Sequence, residues 1–302
     1  MKRLKYLIII ALVIASALSF SNVVMASDGD ETEAIDEKFG KPIVVYGESL
    51  TEPQKEQVRS LLDVSDPESV QEYIITAEDL VNYINGDPNS NLYSSAKITR
   101  KDEGYGLVVN IVNAENITEV TNEMYANALL TAGVENALVE VASPLKVSGH
   151  SALTGIYKAY NVDGESLDKD RMEVANEELS VATDLADEEG MNQEKVSELL
   201  TEIKKEIADQ NPATKEDIEK IVQAQLDKLN IELSPEDIQM LTSLFEKMRA
   251  IDIDFGNVSS QLEDIAKDIK GKIEEVAGNE GFWKSVAAFF ENLFESISNL
   301  FK

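Results

Sequence analysis

The hydrophobic pattern of this chain changes period once, near Gly164, and that change restricts the fold more than any other feature of the sequence. Before Gly164 the apolar residues come in short runs bounded by Gly, Pro, Asn and Asp, as strands and short helices do. The runs "KPIVVYGESL", "QEYIIT", "LYSSAKITR", "YGLVVNIV" and "NALVEVASP" predict five strands. "TEPQKEQVRSLL", "AEDLVNYI", "ITEVTNEMYANALLTAGV" and "SALTGIYKAY" predict the helices between and after them. Thr51 is placed to cap the first helix, with Pro53 in its first turn, and Gly133 to stop the third. "KDEGYG" reads as a hairpin turn joining the third and fourth strands. The order is βαβαββαβα, which predicts an α+β or α/β sheet domain over residues 40–164.

Beyond Gly164 the apolar residues recur every three or four positions, and an all-helical region over 165–277 is expected. Val196, Leu199, Leu200, Ile203 and Ile207 share one helix face; Ile218, Ile221, Val222, Leu226 and Leu229 share another. Pro212 separates the two helices, and Ser234 followed by Pro235 opens a third. Residues 258–277 form a further amphipathic stretch, and 278–302 a last one after a break at Gly278 to Gly281.

The start of the chain carries an address. "MKRLK" is a basic leader, "YLIIIALVIASALSF" an apolar run, and Val24 and Ala26 are small residues at cleavage-site positions. Residues 1–26 are therefore read as a signal peptide cut after Ala26; the rival is an uncleaved anchor. Ser19, Ser21 and Asn22 interrupt the apolar run and favour cleavage. Residues 27–39 read as a flexible acidic mature N-terminus. The 57 acidic against 27 basic residues give a formal charge of −30 and argue against nucleic acid, which needs clustered Lys and Arg. With no cysteine, an exported chain of this kind must rely on core packing rather than disulfides.

"SGHSALTG", residues 148–155, superficially matches the Gly-x-Ser-x-Gly turn that presents a hydrolase nucleophile. Leu153 stands where the second glycine belongs, and His150, the only histidine, is the serine's own neighbour. No triad can be assembled from these residues, and Lys146 or Lys158 would be the remaining bases. The expected role is structural: Ser148 or Gly149 caps a helix, and the free amides of Ser148, Gly149, His150 and Ser151 form a candidate site for a small anion or ligand. "SSAK", Ser94 to Lys97, has Ser-x-x-Lys spacing but lies on a predicted strand without companion motifs. "NVDGESLDKD" puts Ala159 where a calcium loop needs its first carboxylate, which leaves at most weak calcium binding by scattered acids. No catalytic residue, cofactor or metal site is assigned, and no glycine-rich phosphate loop occurs.

The stretches "PIVVYGESLTEPQK" and "GVENALVEVASPLKVSGHSALTGIYKAY" resemble the YpuA-like family, exported proteins of Gram-positive Firmicutes known as a domain of unknown function. The resemblance covers residues 40 to 255 and is most specific from Gly133 to Tyr160. It implies an extracytoplasmic setting at the cell envelope and brings no catalytic residues with it. The expectation is thus a secreted or envelope-associated protein that binds or scaffolds without catalysis. The alternative is an extracytoplasmic hydrolase acting on envelope material.

The last stretch, "GFWKSVAAFFENLFESISNLFK", supplies the expected contact surface. At about 100° per residue, Phe282, Trp283, Val286, Phe289, Phe290, Leu293, Phe294, Ile297, Leu300 and Phe301 fall within roughly a 140° arc. Such a face packs against protein, as an envelope partner or a second copy, or lies in a membrane surface. Two lysines only balance two glutamates on the opposite side, so the basic face typical of membrane binders is missing. Deleting residues 279–302 is expected to leave the sheet domain folded and abolish envelope or partner association. Fractionation and sedimentation check this, and unchanged association and oligomeric state would refute the interaction role.

Overall fold

The computed structural model describes residues 38–251 and 253–277, the last four for their backbone alone. The expected signal peptide, the acidic stretch up to residue 37 and the expected apolar face from Phe282 to Phe301 lie outside the described residues. Five strands, β1 (Ile43–Gly47), β2 (Gln71–Ile75), β3 (Ser95–Arg100), β4 (Leu107–Ile111) and β5 (Ala137–Ala142), form one mixed sheet in the order β2-β1-β3-β5-β4. Helices α1 (Glu52–Leu61), α2 (Ala77–Ile84), α3 (Asn122–Ala132) and α4 (Ser151–Val162) alternate with them in the predicted order. The remaining helices are α5 (Lys169–Ala186), α6 (Gln193–Gln210), α7 (Lys215–Leu229), α8 (Pro235–Ala250) and α9 (Ser259–Ala277). The fold is α+β, as the change of period predicts.

The local signals are realised where they depend on neighbouring residues. The Thr51 N–H donates to the Gln54 side chain at 2.9 Å as α1 begins, and the Asp237 N–H donates to Ser234 Oγ at 3.1 Å as α8 begins. Gly133 ends α3 with φ +94°, a conformation that other residues adopt only with strain. Helix α5 is the one that the periodicity does not single out. Its buried side includes the small residues Ala175 and Ala182, which weaken the apolar stripe.

The hairpin expected from "KDEGYG" is corrected. β3 and β4 do not pair; β5 lies between them, antiparallel to β3 and parallel to β4. The connection instead passes over the start of β5 and is tied there by Asn136. Its Oδ1 accepts from the Gly104 and Gly106 N–H groups at 3.0 and 3.1 Å, and its carbonyl accepts from the Lys101 N–H at 3.1 Å. The inserted strand brings Ala137, Val139 and Val141, all fully buried, into the middle of the sheet.

Both faces of β1 are covered, so all five of its residues are buried and its sequence reads as a continuous apolar run. Val44 and Tyr46 face α1 with Val58 and Leu62. Ile43 and Val45 face the other way, into a cluster that includes α4 and α3 and continues through the helices as far as Ile269. Helix α3 is embedded in that cluster: every residue from Glu123 to Ala132 is buried, two polar and one acidic side chain among them.

At its centre is an ion pair withdrawn from solvent. Lys204 of α6 and Glu178 of α5 are 0% and 1% exposed, and Lys204 Nζ lies 2.5 Å from Glu178 Oε1. The ammonium also donates to the Asn127 carbonyl at 2.8 Å and Thr131 Oγ1 at 2.9 Å, while Thr131 Oγ1 donates to Glu178 Oε2 at 2.6 Å. Burial lowers the Lys204 pKa against the opposing pull of Glu178. Lys204→Met should cost about 3–5 kcal/mol, because it strands a buried carboxylate. Adding Glu178→Leu should recover most of that loss in urea denaturation; a double variant no more stable than the single one would show that the stranded charge is not its cause.

Candidate functional site

The segment after β5 is fastened before it enters α4. Asn113 Nδ2 and Asn116 Nδ2 donate to the Ser143 carbonyl at 2.7 and 2.9 Å, and the Val147 N–H donates to the Asn116 carbonyl at 2.9 Å. Gly149 then turns the chain with φ +111°, and a Cβ there would meet Ile117 Cγ2 and Tyr125 Oη at 2.7 Å each. Tyr125 of α3 donates its hydroxyl to the Gly149 carbonyl at 2.6 Å, in a site buried enough to raise the phenol pKa strongly. Only glycine meets both demands, on backbone angle and on space.

Beside this turn lies a cavity of about 180 Å³. Leu80 and Ile84 of α2 and the stretch from Ser90 to Ser94 form one wall; residues 147 to 151 and Thr154 form the other, with Asn176 of α5 at its edge. The chain approaches closely behind it: a Cβ on Gly47 would sit 2.1 Å from the Leu92 carbonyl oxygen, so β1 must end in glycine to admit that wall.

The two serine motifs meet here. Ser94 Oγ and Ser151 Oγ are 2.6 Å apart, and Ser94 Oγ also donates to the Gly149 carbonyl at 3.3 Å. The lysine of "SSAK" does not follow its serine. Residues three apart on an extended chain point to opposite faces, and Lys97 is paired with Glu140 at 2.7 Å and bonded to the Leu62 carbonyl. Lys158 is held by Asp79 at 2.5 Å, and Lys146 is exposed. The His150 ring faces α5, with Nε2 3.3 Å from Thr183 Oγ1.

The capping expectation is corrected. α4 begins at Ser151 with His150 as its N-cap, and no side chain caps it. The Ala152 and Leu153 amides turn back to the Gly149 and His150 carbonyls at 3.0 and 3.2 Å. This tight first turn leaves the His150 and Ser151 amides as the uncommitted donors of the helix start. Ser148 and Gly149 belong to the turn rather than to a cap, and the Ser151 hydroxyl is spent on Ser94.

The acidic stretch "NVDGESLDKD" is otherwise engaged. Asp163 pairs with Arg100 at 2.7 Å, Glu165 pairs with the same guanidinium, and Asp168 caps α5 by accepting the Arg171 N–H at 3.0 Å. Among the described residues no group of three or more His, Cys, Asp or Glu side chains converges as a metal site would. A second, larger groove of about 420 Å³ runs between the β4 edge, α3 and α9, crossed by the Lys272–Glu123 pair at 2.5 Å.

Sequence reasoning missed Thr154 and Asn176, which line the cleft, and Thr183, which meets the His150 ring, because each comes from one turn within a longer helix and carries no motif. Helical spacing from Ser151 offers the one available signal, placing Thr154 a turn later on the same face.

Burial lowers the His150 pKa, and the carboxylates of Glu119 and Asp184 partly oppose that shift. A proton therefore binds the unfolded chain in preference to the folded one below the ordinary imidazole value near 6.5. The stability that His150 contributes is complete above that pH, is lost as pH falls toward the folded value, and is level below it. Denaturation of wild type and His150→Asn between pH 8 and pH 5 should show the extra acid loss only in the wild type. Parallel curves would refute the assignment.

A family model described as "Protein of unknown function (DUF1002)" matches residues 46–265. The chain is 38% identical over 274 residues to "Uncharacterized protein YpuA" of Bacillus subtilis (strain 168), covering 88% of this chain and 92% of that protein. No solved structure matches. The cleft, with its glycine turn and paired serines, lies wholly within the matched residues, and the chain belongs to this family of unknown function.

Proposed function

We propose that this is an exported cell-envelope protein that binds or scaffolds rather than catalyses, with the α4 cleft as its recognition site. The observation that carries the non-catalytic reading is the Ser94–Ser151 contact at 2.6 Å. A nucleophilic serine needs a base on its hydroxyl, and here that position is taken by a second hydroxyl of the same acidity. The ring that could serve is turned to Thr183, and the lysines at motif spacing are committed elsewhere. Export is supported by the basic, apolar and small-residue succession of residues 1–26.

Two readouts on the native protein test this reading. A fluorophosphonate probe should leave the folded protein unlabelled, and intact-mass analysis should give an N-terminus at Ser27. Labelling that disappears in Ser151→Ala would establish the hydrolase alternative. Met1 retained in the membrane fraction would replace cleavage by an anchor.

A further inference from the structure

The α4 cleft holds uncommitted hydrogen-bond donors in a place where a folded chain normally satisfies them. The His150 and Ser151 amides lie at the start of a twelve-residue helix, whose N-terminal end carries partial positive charge. A helix start alone would be unremarkable, but Thr154 supplies a second and independent observation. It is fully buried, lines the cavity, and its hydroxyl has no hydrogen-bond partner. Thr154 stands three positions after Ser151, on the same helix face and one turn from the two amides. Leaving such a group unpaired costs about 1–3 kcal/mol. That cost is removed when a ligand accepts from it.

The remaining lining restricts the ligand further. None of the residues around the cavity is Asp, Glu, Lys or Arg, although the chain has 57 acidic side chains, and the titratable side chains there are His150 and Tyr93. No carboxylate lines the wall; Glu119 and Asp184 are near enough to act on the His150 ring, and the charge of the more distant surface is screened beyond about 8 Å at physiological ionic strength. Leu80, Ile84, Leu92 and Val147 make the rest of the wall apolar. A volume of about 180 Å³, beside the ~150 Å³ of an engineered apolar cavity that binds benzene, is the scale of a short acid.

We infer that the cleft is a carboxylate site for a small acid with a short apolar group. The carboxylate sits on the His150 and Ser151 amides and the Thr154 hydroxyl, and the apolar group lies against Leu80, Ile84 and Leu92. This rests on reading the cleft as a binding site rather than a catalytic one. The same chemistry is offered by a free short-chain acid and by the C-terminus of a peptide ending in a small apolar residue.

The test uses the full mature chain, labelled with ¹⁵N and titrated separately with butyrate, N-acetyl-alanine and the neutral isostere butyramide. Butyrate or N-acetyl-alanine should shift the amides of His150, Ser151 and Ala152, and butyramide at equal concentration should not. A response to butyrate alone identifies a free acid, and a stronger response to N-acetyl-alanine identifies a peptide end. Thr154→Val should weaken binding about tenfold while leaving the unfolding midpoint unchanged or raised, since it removes an unpaired hydroxyl. Shifts absent with both carboxylates, or equal with butyramide, would overturn the proposal, as would undiminished binding in Thr154→Val. Acetate released from N-acetyl-alanine would sink the non-catalytic reading and leave carboxylate recognition standing.

Discussion

The buried pair of Lys204 and Glu178 is the interaction on which the arrangement of the other elements depends. Removing two ions from water costs several kcal/mol each, and direct attraction offsets this only when the remaining protons and lone pairs are satisfied. Here the ammonium has two further acceptors on α3, and the carboxylate has a hydroxyl donor on the same helix. These contacts hold only at one rotation and one height of α3, α5 and α6 relative to each other. An apolar interface would tolerate sliding by part of a turn; a directional one does not.

That registry extends to the cleft. Helix α3 carries Tyr125, whose hydroxyl fixes the Gly149 carbonyl, and α5 carries Thr183 and Asn176, which face His150 and the cavity edge. A shift of α3 against α5 would move the turn relative to its far wall. The polar core therefore sets the shape of the cavity through position, although none of its members touches it.

The rest of the charge works differently. Most of the ion pairs are at least partly exposed, and such pairs contribute little to stability. Arg59 is an exception. It grips both oxygens of Glu72 at 2.7 and 2.8 Å, and Tyr46 donates to the same carboxylate at 2.6 Å, which fastens α1 to the first two strands. The guanidinium holds the Glu72 pKa below its ordinary value. A chain without cysteine thus joins its sheet to its helices by an apolar cluster on each face of β1 and a few directional polar contacts.

Element order and type, α5 excepted, could be read from the sequence, because period, caps and stop signals act between residues a few positions apart. Thr51, Ser234 and Gly133 each act within one turn, and each is where the local pattern puts it. Strand order could not be read in this way, because β3 and β4 carry equally good hairpin patterns whether or not β5 enters between them; Asn136 and the burial of β5 decided that. Lys204 and Glu178 leave a trace, as charges set among apolar helix positions, but nothing local says that they meet. Ser94 and Ser151 are 57 positions apart, and only the folding of α4 against the start of β3 makes them neighbours and leaves Thr154 unpaired beside them. Local chemistry determined which elements form; long-range packing decided which side chains share a cavity, because contact between distant residues depends on the whole arrangement and on no single stretch of it.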